Sequence, residues 1–149
     1  MLKLVASLAL IAGVLTGCAA APPLNTPSGR PEVFIAGARP QQVIDTVIAR
    51  AAAKGSKIKA VTAYSVTIAR TQDNMLSALA YGSRYDRFPE SRSTVTVVGT
   101  PTGTIAYAAV EMVTNPGSAF EKTNDITDVA GGALQASLEE VAATVRANR

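Results

Sequence analysis

Thr94–Val98 and Thr104–Val113 read as strands on either side of the stretch Gly-Thr-Pro-Thr-Gly. Proline and glycine stand where a tight turn uses them, so the pair predicts a hairpin, and a hairpin commits its two strands to antiparallel pairing. Lys57–Val61 and Tyr64–Arg70 repeat the arrangement about Thr62-Ala63. In the second of these runs Tyr64, Val66 and Ile68 alternate with Ser65 and Thr67, the pattern of a sheet with one wet face.

Around the hairpins the periodicity changes. Glu32–Ala36, "EVFIA", predicts a short strand from its Val-Phe-Ile content, and Gly37 breaks it. Pro40 sits where a helix can begin, since its fixed φ and missing N–H cost nothing in a first turn. From Gln41 to Lys54 the residues Val43, Ile44, Val47, Ile48 and Ala51 recur at three- and four-residue steps, which predicts an amphipathic helix stopped by Gly55. Lys54 in its last turn suits the helix dipole. Asp73 or Asn74 is placed to cap a short helix over Met75–Tyr81, ended by Gly82. Ser83–Arg92 and Asn115–Asn124 read as loops. A closing helix is expected from about Asp128 to Ala147, with Leu134, Leu138, Val141 and Val145 as its core stripe. Gly131-Gly132 weakens its first turn by about 1 kcal/mol per glycine relative to alanine.

The resulting order is β-α-β-β-α-β-β-α. No strand–helix–strand repeat runs through the chain, which argues against a doubly wound parallel sheet. The expectation is an α+β fold: a two-layer sandwich of a mainly antiparallel sheet with the helices on one face. This order is similar to the small α/β domains of envelope assembly lipoproteins, such as the BamC-type domain, a likeness of fold alone. "GSRYDRFPESR" and "TNPGSAFE" also resemble segments of small bacterial lipoproteins without an assigned activity.

The N-terminus predicts an address. Met1-Leu2-Lys3 is a short basic start, and Leu4–Leu15 is apolar or small throughout apart from Ser7. That length suits the apolar region of a secretory signal (about 7–15 residues) and falls short of the ~20 that cross a bilayer as a helix. Taken singly, an apolar start also fits a buried helix, a lone cysteine fits a small core hydrophobe, and Ala19–Ala21 fits an ordinary signal-cleavage site. Leu15-Thr16-Gly17-Cys18 resembles the lipobox of bacterial lipoproteins: Leu, a small or polar residue, Gly or Ala, then Cys. The resemblance covers roughly the first 20 residues and implies cleavage before Cys18 and acylation of that residue. Two or three acyl chains make a stable anchor where one holds only marginally, each buried CH₂ contributing about 0.8 kcal/mol. Ala19, in place of a retention aspartate, implies the outer membrane, facing the periplasm. Residues 1–17 are then the signal peptide and 18–31 the lipidated cysteine with a tether holding four of the eight prolines. Residues 32–149 form a single domain. Extended proline-rich chain runs near 3.1 Å per residue, so a dozen residues reach up to roughly 40 Å.

Composition narrows the chemistry. Histidine is absent and Cys18 is the one cysteine, which closes Ser-His-Asp and Cys-His schemes, the usual His/Cys zinc sites and any intrachain disulfide. No phosphate-binding glycine motif occurs. No cofactor is expected. The net charge of +3 on the full chain is too small to argue for nucleic acid. The eleven Asp and Glu residues are scattered, and none forms a recognisable catalytic pair.

Three surfaces are candidates. Tyr81, Arg84, Tyr85, Arg87, Phe88 and Arg92 crowd one loop region, and Arg and Tyr dominate binding hot spots. Arg84, Tyr85, Arg87 and Phe88 are its partner-facing choice; alternatively Tyr85 and Phe88 fold under the loop and lock it to the sheet. Arg50, Lys54, Lys57 and Lys59 form a basic group suited to anionic headgroups or cell-wall polymer, or to plain solvation. Glu111 lies mid-strand on one face with Tyr107 and Ala109, either as a buried acid or on a wet face. Two function classes follow. One is a non-enzymatic envelope component that binds a protein partner in secretion, conjugation or assembly, with the membrane reached through Cys18. The other is a carboxylate-dependent enzyme acting on cell-wall glycan.

Overall fold

The computed structural model describes residues 24–72 and 88–148. Within them the chain runs β1 (Glu32–Ala36), α1 (Pro40–Ala53), β2 (Lys57–Val61), β3 (Ser65–Thr71), β4 (Glu90–Thr100), β5 (Gly103–Thr114), β6 (Lys122–Asp125) and α2 (Thr127–Ala147). Among the described residues the fold is α+β, with two helices and a six-stranded sheet whose pairings are all antiparallel. The order across the sheet is β1-β5-β4-β3-β2, and β6 also pairs with β5.

Both expected hairpins form. Thr100 pairs with Gly103 across Pro101-Thr102, and Val61 pairs with Val66. Gly103 has no room for a side chain: a Cβ there would press on the Ile35 carbonyl oxygen and lie 2.9 Å from Ala36 Cα. Its lack of one lets β1 close against β5. β1 and β2 occupy opposite edges, so α1 has to cross the sheet between them. Four gaps of about 4.8 Å make a width of about 19 Å, and 14 helical residues at about 1.5 Å each make about 21 Å. The helix therefore has the length its route needs. Arg39 N–H donates to Gln42 Oε1 at 2.9 Å at its start. At its end Gly55, at φ +70°, donates to Ala52 O and Ser56 N–H to Ala51 O.

One hydrophobic cluster joins the helices to the sheet. Val66, Val95 and Ala108 stand opposite one another in register on β3, β4 and β5, and Val97 faces Ala106. These side chains meet Val43, Ile44 and Val47 of α1 and Leu138, Val141, Ala142 and Val145 of α2. Leu134 of the expected stripe packs at the margin of the cluster. On the opposite sheet face Thr67 and Thr94 share a hydroxyl–hydroxyl hydrogen bond of 3.1 Å.

Four expectations need revision or lie beyond view. Glu90–Arg92, expected in a loop, begin β4. Their backbone is paired on both sides, to Ala69–Thr71 and to Glu111–Val113, and that outweighs the polar sequence. Lys122–Asp125, assigned mostly to a loop, form β6 on the edge that β5 leaves open beyond β1. The order within the described residues is accordingly β-α-β-β-β-β-β-α. The helix expected over Met75–Tyr81 lies outside them. Finally, the described part of the proline-rich tether packs against the domain. Pro31 is buried and its carbonyl accepts from Ala108 N–H at 3.0 Å, Ser28 Oγ donates to Glu32 at 2.7 Å, and Leu24 lies against Gly131. Folded chain therefore starts before Glu32, within the 18–31 segment expected as a tether.

Candidate functional site

Along β3 the residues on the helix-facing side are Val66, Ile68 and Arg70; along β4 they are Val97, Val95, Ser93 and Ser91. Register pairs Val66 with Val95, Ile68 with Ser93 and Arg70 with Ser91. Along β3 and β4 this face thus changes from aliphatic to polar toward one end of the sheet, while Val110 and Met112 keep it aliphatic on β5. On this face lies a cleft of about 320 Å³. Its apolar wall comes from Val47 and Ala51 of α1, Leu134, Leu138 and Val141 of α2, and Ile68 and Val95 of the sheet. Its polar groups include Gln72, Ser91 and Ser93, with Arg50, Lys54 and Arg70 also in the lining.

The polar lining is organised. Gln72 Nε2 donates to Ser91 Oγ at 2.7 Å, and Ser91 Oγ donates to the Arg70 carbonyl at 3.2 Å. Arg50 pairs with Glu140 and donates to Thr144 Oγ1 at 3.3 Å, while Lys54 Nζ lies 3.8 Å from the same Glu140 carboxylate. Among the described residues no carboxylate pairs with Arg70. Among the described residues three cations, Arg50, Lys54 and Arg70, stand at this cleft against one anion, Glu140. Such a lining is chemically suited to holding a ligand that is apolar along its body and anionic at one end.

Comparisons with known proteins add no relative: no family model, curated protein or solved structure matches this chain.

The surfaces named from sequence fare differently. Arg84, Tyr85 and Arg87 lie outside the described residues. Phe88 lies just before β4 and is 49% exposed. Arg92, grouped with that loop by sequence proximity, instead belongs to an ionic cluster on the sheet. Its Nε donates to Glu90 Oε1 at 2.8 Å, and its two terminal nitrogens contact the Glu121 carboxylate at 2.6 and 3.2 Å. Lys59 Nζ lies 3.3 Å from Glu90 Oε2. The basic group Arg50, Lys54, Lys57 and Lys59 is consequently divided. Arg50 and Lys54 stand at the cleft and Lys59 joins Glu90, with Lys57 exposed on the edge strand β2. Glu111 is exposed, directly opposite Arg92 in register, which makes it a wet-face residue rather than a buried acid. Among the described residues no group of His, Cys, Asp and Glu gathers as a metal site requires.

The ionic cluster sets a pH dependence. Burial pushes the Glu90 carboxyl up, but hydrogen bonds from Arg92 and Lys59 outweigh it and hold the group below the usual glutamate range. Arg92 and the Gly117 N–H lower Glu121. The side-chain and backbone hydrogen bonds of Thr127 lower Asp125. A carboxyl depressed in the folded state adds stability above its unfolded pKa and loses it as pH falls through its folded pKa. The urea midpoint should therefore hold steady at pH values above about 5 and fall progressively below about 4. Glu90→Gln should flatten that acid limb; a wild-type midpoint unchanged at acid pH would contradict the assignment.

The cleft residues Arg70, Gln72, Ser91 and Ser93 were missed in the sequence. The signal was present: every second residue of β4, read back from Val97, goes Val, Val, Ser, Ser. Taken alone, the serines looked like part of a polar loop and its neighbour, and only the register with β3 aligns them with Ile68 and Arg70 as one surface.

Proposed function

We propose that this chain is a lipid-anchored protein of the cell envelope, held through Cys18 at the outer membrane and facing the periplasm. Its folded part is a two-layer α+β sandwich that works by binding, as a non-enzymatic component of secretion, conjugation or envelope machinery. The observation that carries this reading is the cleft beneath α1 and α2, whose aliphatic, hydroxyl, amide and cationic lining supplies recognition groups. The Leu15–Cys18 motif supports the address, and the exposure of Phe88 is consistent with a protein-facing surface made with Arg84, Tyr85 and Arg87. Pocket and loop are then separate contacts, one with a small ligand and one with a protein partner.

The test has two readouts on the intact protein. Cells fed an alkyne fatty acid should label the wild type and leave Cys18→Ser unlabelled, with the variant lost from the membrane fraction. Crosslinking in the same cells should capture a defined envelope protein with the wild type and markedly less with Arg84→Ala/Phe88→Ala. Equal labelling of the two proteins defeats the anchor, and equal capture defeats the partner surface.

A further inference from the structure

The geometry points to the cleft as a seat for an anionic lipid, with an acyl chain along the aliphatic wall and a carboxylate or phosphate head at Arg70. This inference rests on the binding reading and names its small ligand. A volume of about 320 Å³ lies at the lower end of ligand pockets (about 300–1,000 Å³), the scale of one chain rather than a bulky cofactor. Val47, Leu134, Leu138 and Val141 provide a hydrophobic side for it. Arg50 and Lys54 share Glu140, whereas Arg70 has no carboxylate partner among the described residues. A guanidinium binds carboxylate and phosphate in two-pronged fashion, so Arg70 is the natural head-group contact. Ser93 Oγ, opposite Ile68 on the floor, lies in the same lining and offers a further hydroxyl.

The chain's own route supplies the second argument. Leu24 packs at Gly131, where an added Cβ would lie 3.2 Å from Leu24 Cδ1. Gly131 is one helical turn before Leu134, which lines the cleft. Leu24 is six residue steps from Cys18, a span of at most about 20 Å. Anchoring at Cys18 would therefore hold this side of α2 close to a bilayer, where acyl chains with acidic heads are at hand.

The test uses the full chain in nanodiscs of neutral phosphatidylcholine. Three photoreactive probes are compared: a diazirine fatty acid, its methyl ester and a diazirine phosphatidylglycerol, with adducts mapped by peptide mass spectrometry. The acid, the phosphatidylglycerol or both should label peptides carrying Leu134–Val141 and Arg70, and which of the two labels identifies the source of the head group. The ester should label about tenfold less than the preferred anionic probe, and Arg70→Glu should lower that probe's labelling about tenfold. Because Arg70 is exposed, Arg70→Gln provides a milder variant if charge reversal disturbs folding, as a thermal melt would show. Anionic adducts absent from cleft peptides, or equal labelling by acid, ester and phosphatidylglycerol, overturn the proposal. Such a result would leave Cys18 acylation and partner capture intact, while their failure would leave cleft adducts intact, so the two readings fail separately.

Discussion

Ile44→Ala should lower the stability of the domain by about 3 kcal/mol, within the ~2–5 found for isoleucine or leucine truncations in packed cores. Ile44 has no solvent exposure and belongs to the cluster in which α1, α2 and the sheet meet. Removing its outer carbons takes away transfer free energy and leaves a hole that its neighbours on two helices and the sheet fill only in part. For a domain of this size the melting temperature should fall by roughly 10 °C. Val129→Ala on α2 is the control, because Val129 is 76% exposed, and it should stay within about 0.5 kcal/mol of the wild type. A similar loss for both variants would mean that the helices and the sheet do not share the core described here.

Arg92→Leu should destabilise the fold by about 2–3 kcal/mol, for a different reason. Arg92 holds Glu90, whose side chain is almost buried, and grips Glu121 with two nitrogens. Glu121 in turn accepts from Gly117 N–H at 2.6 Å, so a single guanidinium ties the β5–β6 loop to β4. Removing it leaves Glu90 with Lys59 alone. Breaking a fully buried pair typically costs ~3–5 kcal/mol, and the partial exposure of Arg92 places this case lower. Glu90→Leu/Arg92→Leu should cost less than the two single changes added together, since the double variant leaves no stranded charge between them. Additivity within about 0.5 kcal/mol would show that the two side chains do not act as a unit. Because the ionised carboxylates are what the cluster stabilises, the difference between wild type and Arg92→Leu should also shrink as pH falls through their lowered range.

Local chemistry was enough for much of the fold. The spacing of Val43, Ile44, Val47 and Ala51 identified α1, with Pro40 and Gly55 as its limits, and the last helix began within one residue of its expected start. The turn at Pro101-Thr102 identified the β4–β5 hairpin. These features depend on residues three or four apart, or on a turn of a few residues, so the information lies within a short window. Glu90–Arg92 and Lys122–Asp125 carry no such pattern. They are strands because neighbouring backbones offer donors and acceptors that need partners, and those neighbours come from distant parts of the chain.

For the cleft the division falls at the same place. Sequence alone established the basic residues near the end of α1 and the lipobox-like stretch ending at Cys18. It did not show that Arg70 and Ser91 share a face, that Arg50 is satisfied by Glu140, or that Leu24 returns to Gly131 on α2. Each of these joins positions about 20 to 107 residues apart, set by strand register and by the crossing of α1 over the sheet. A one-residue slip of β4 would turn Ser91 and Ser93 to the opposite face and remove the polar end of the cleft, so that lining exists only once long-range pairing has chosen a register.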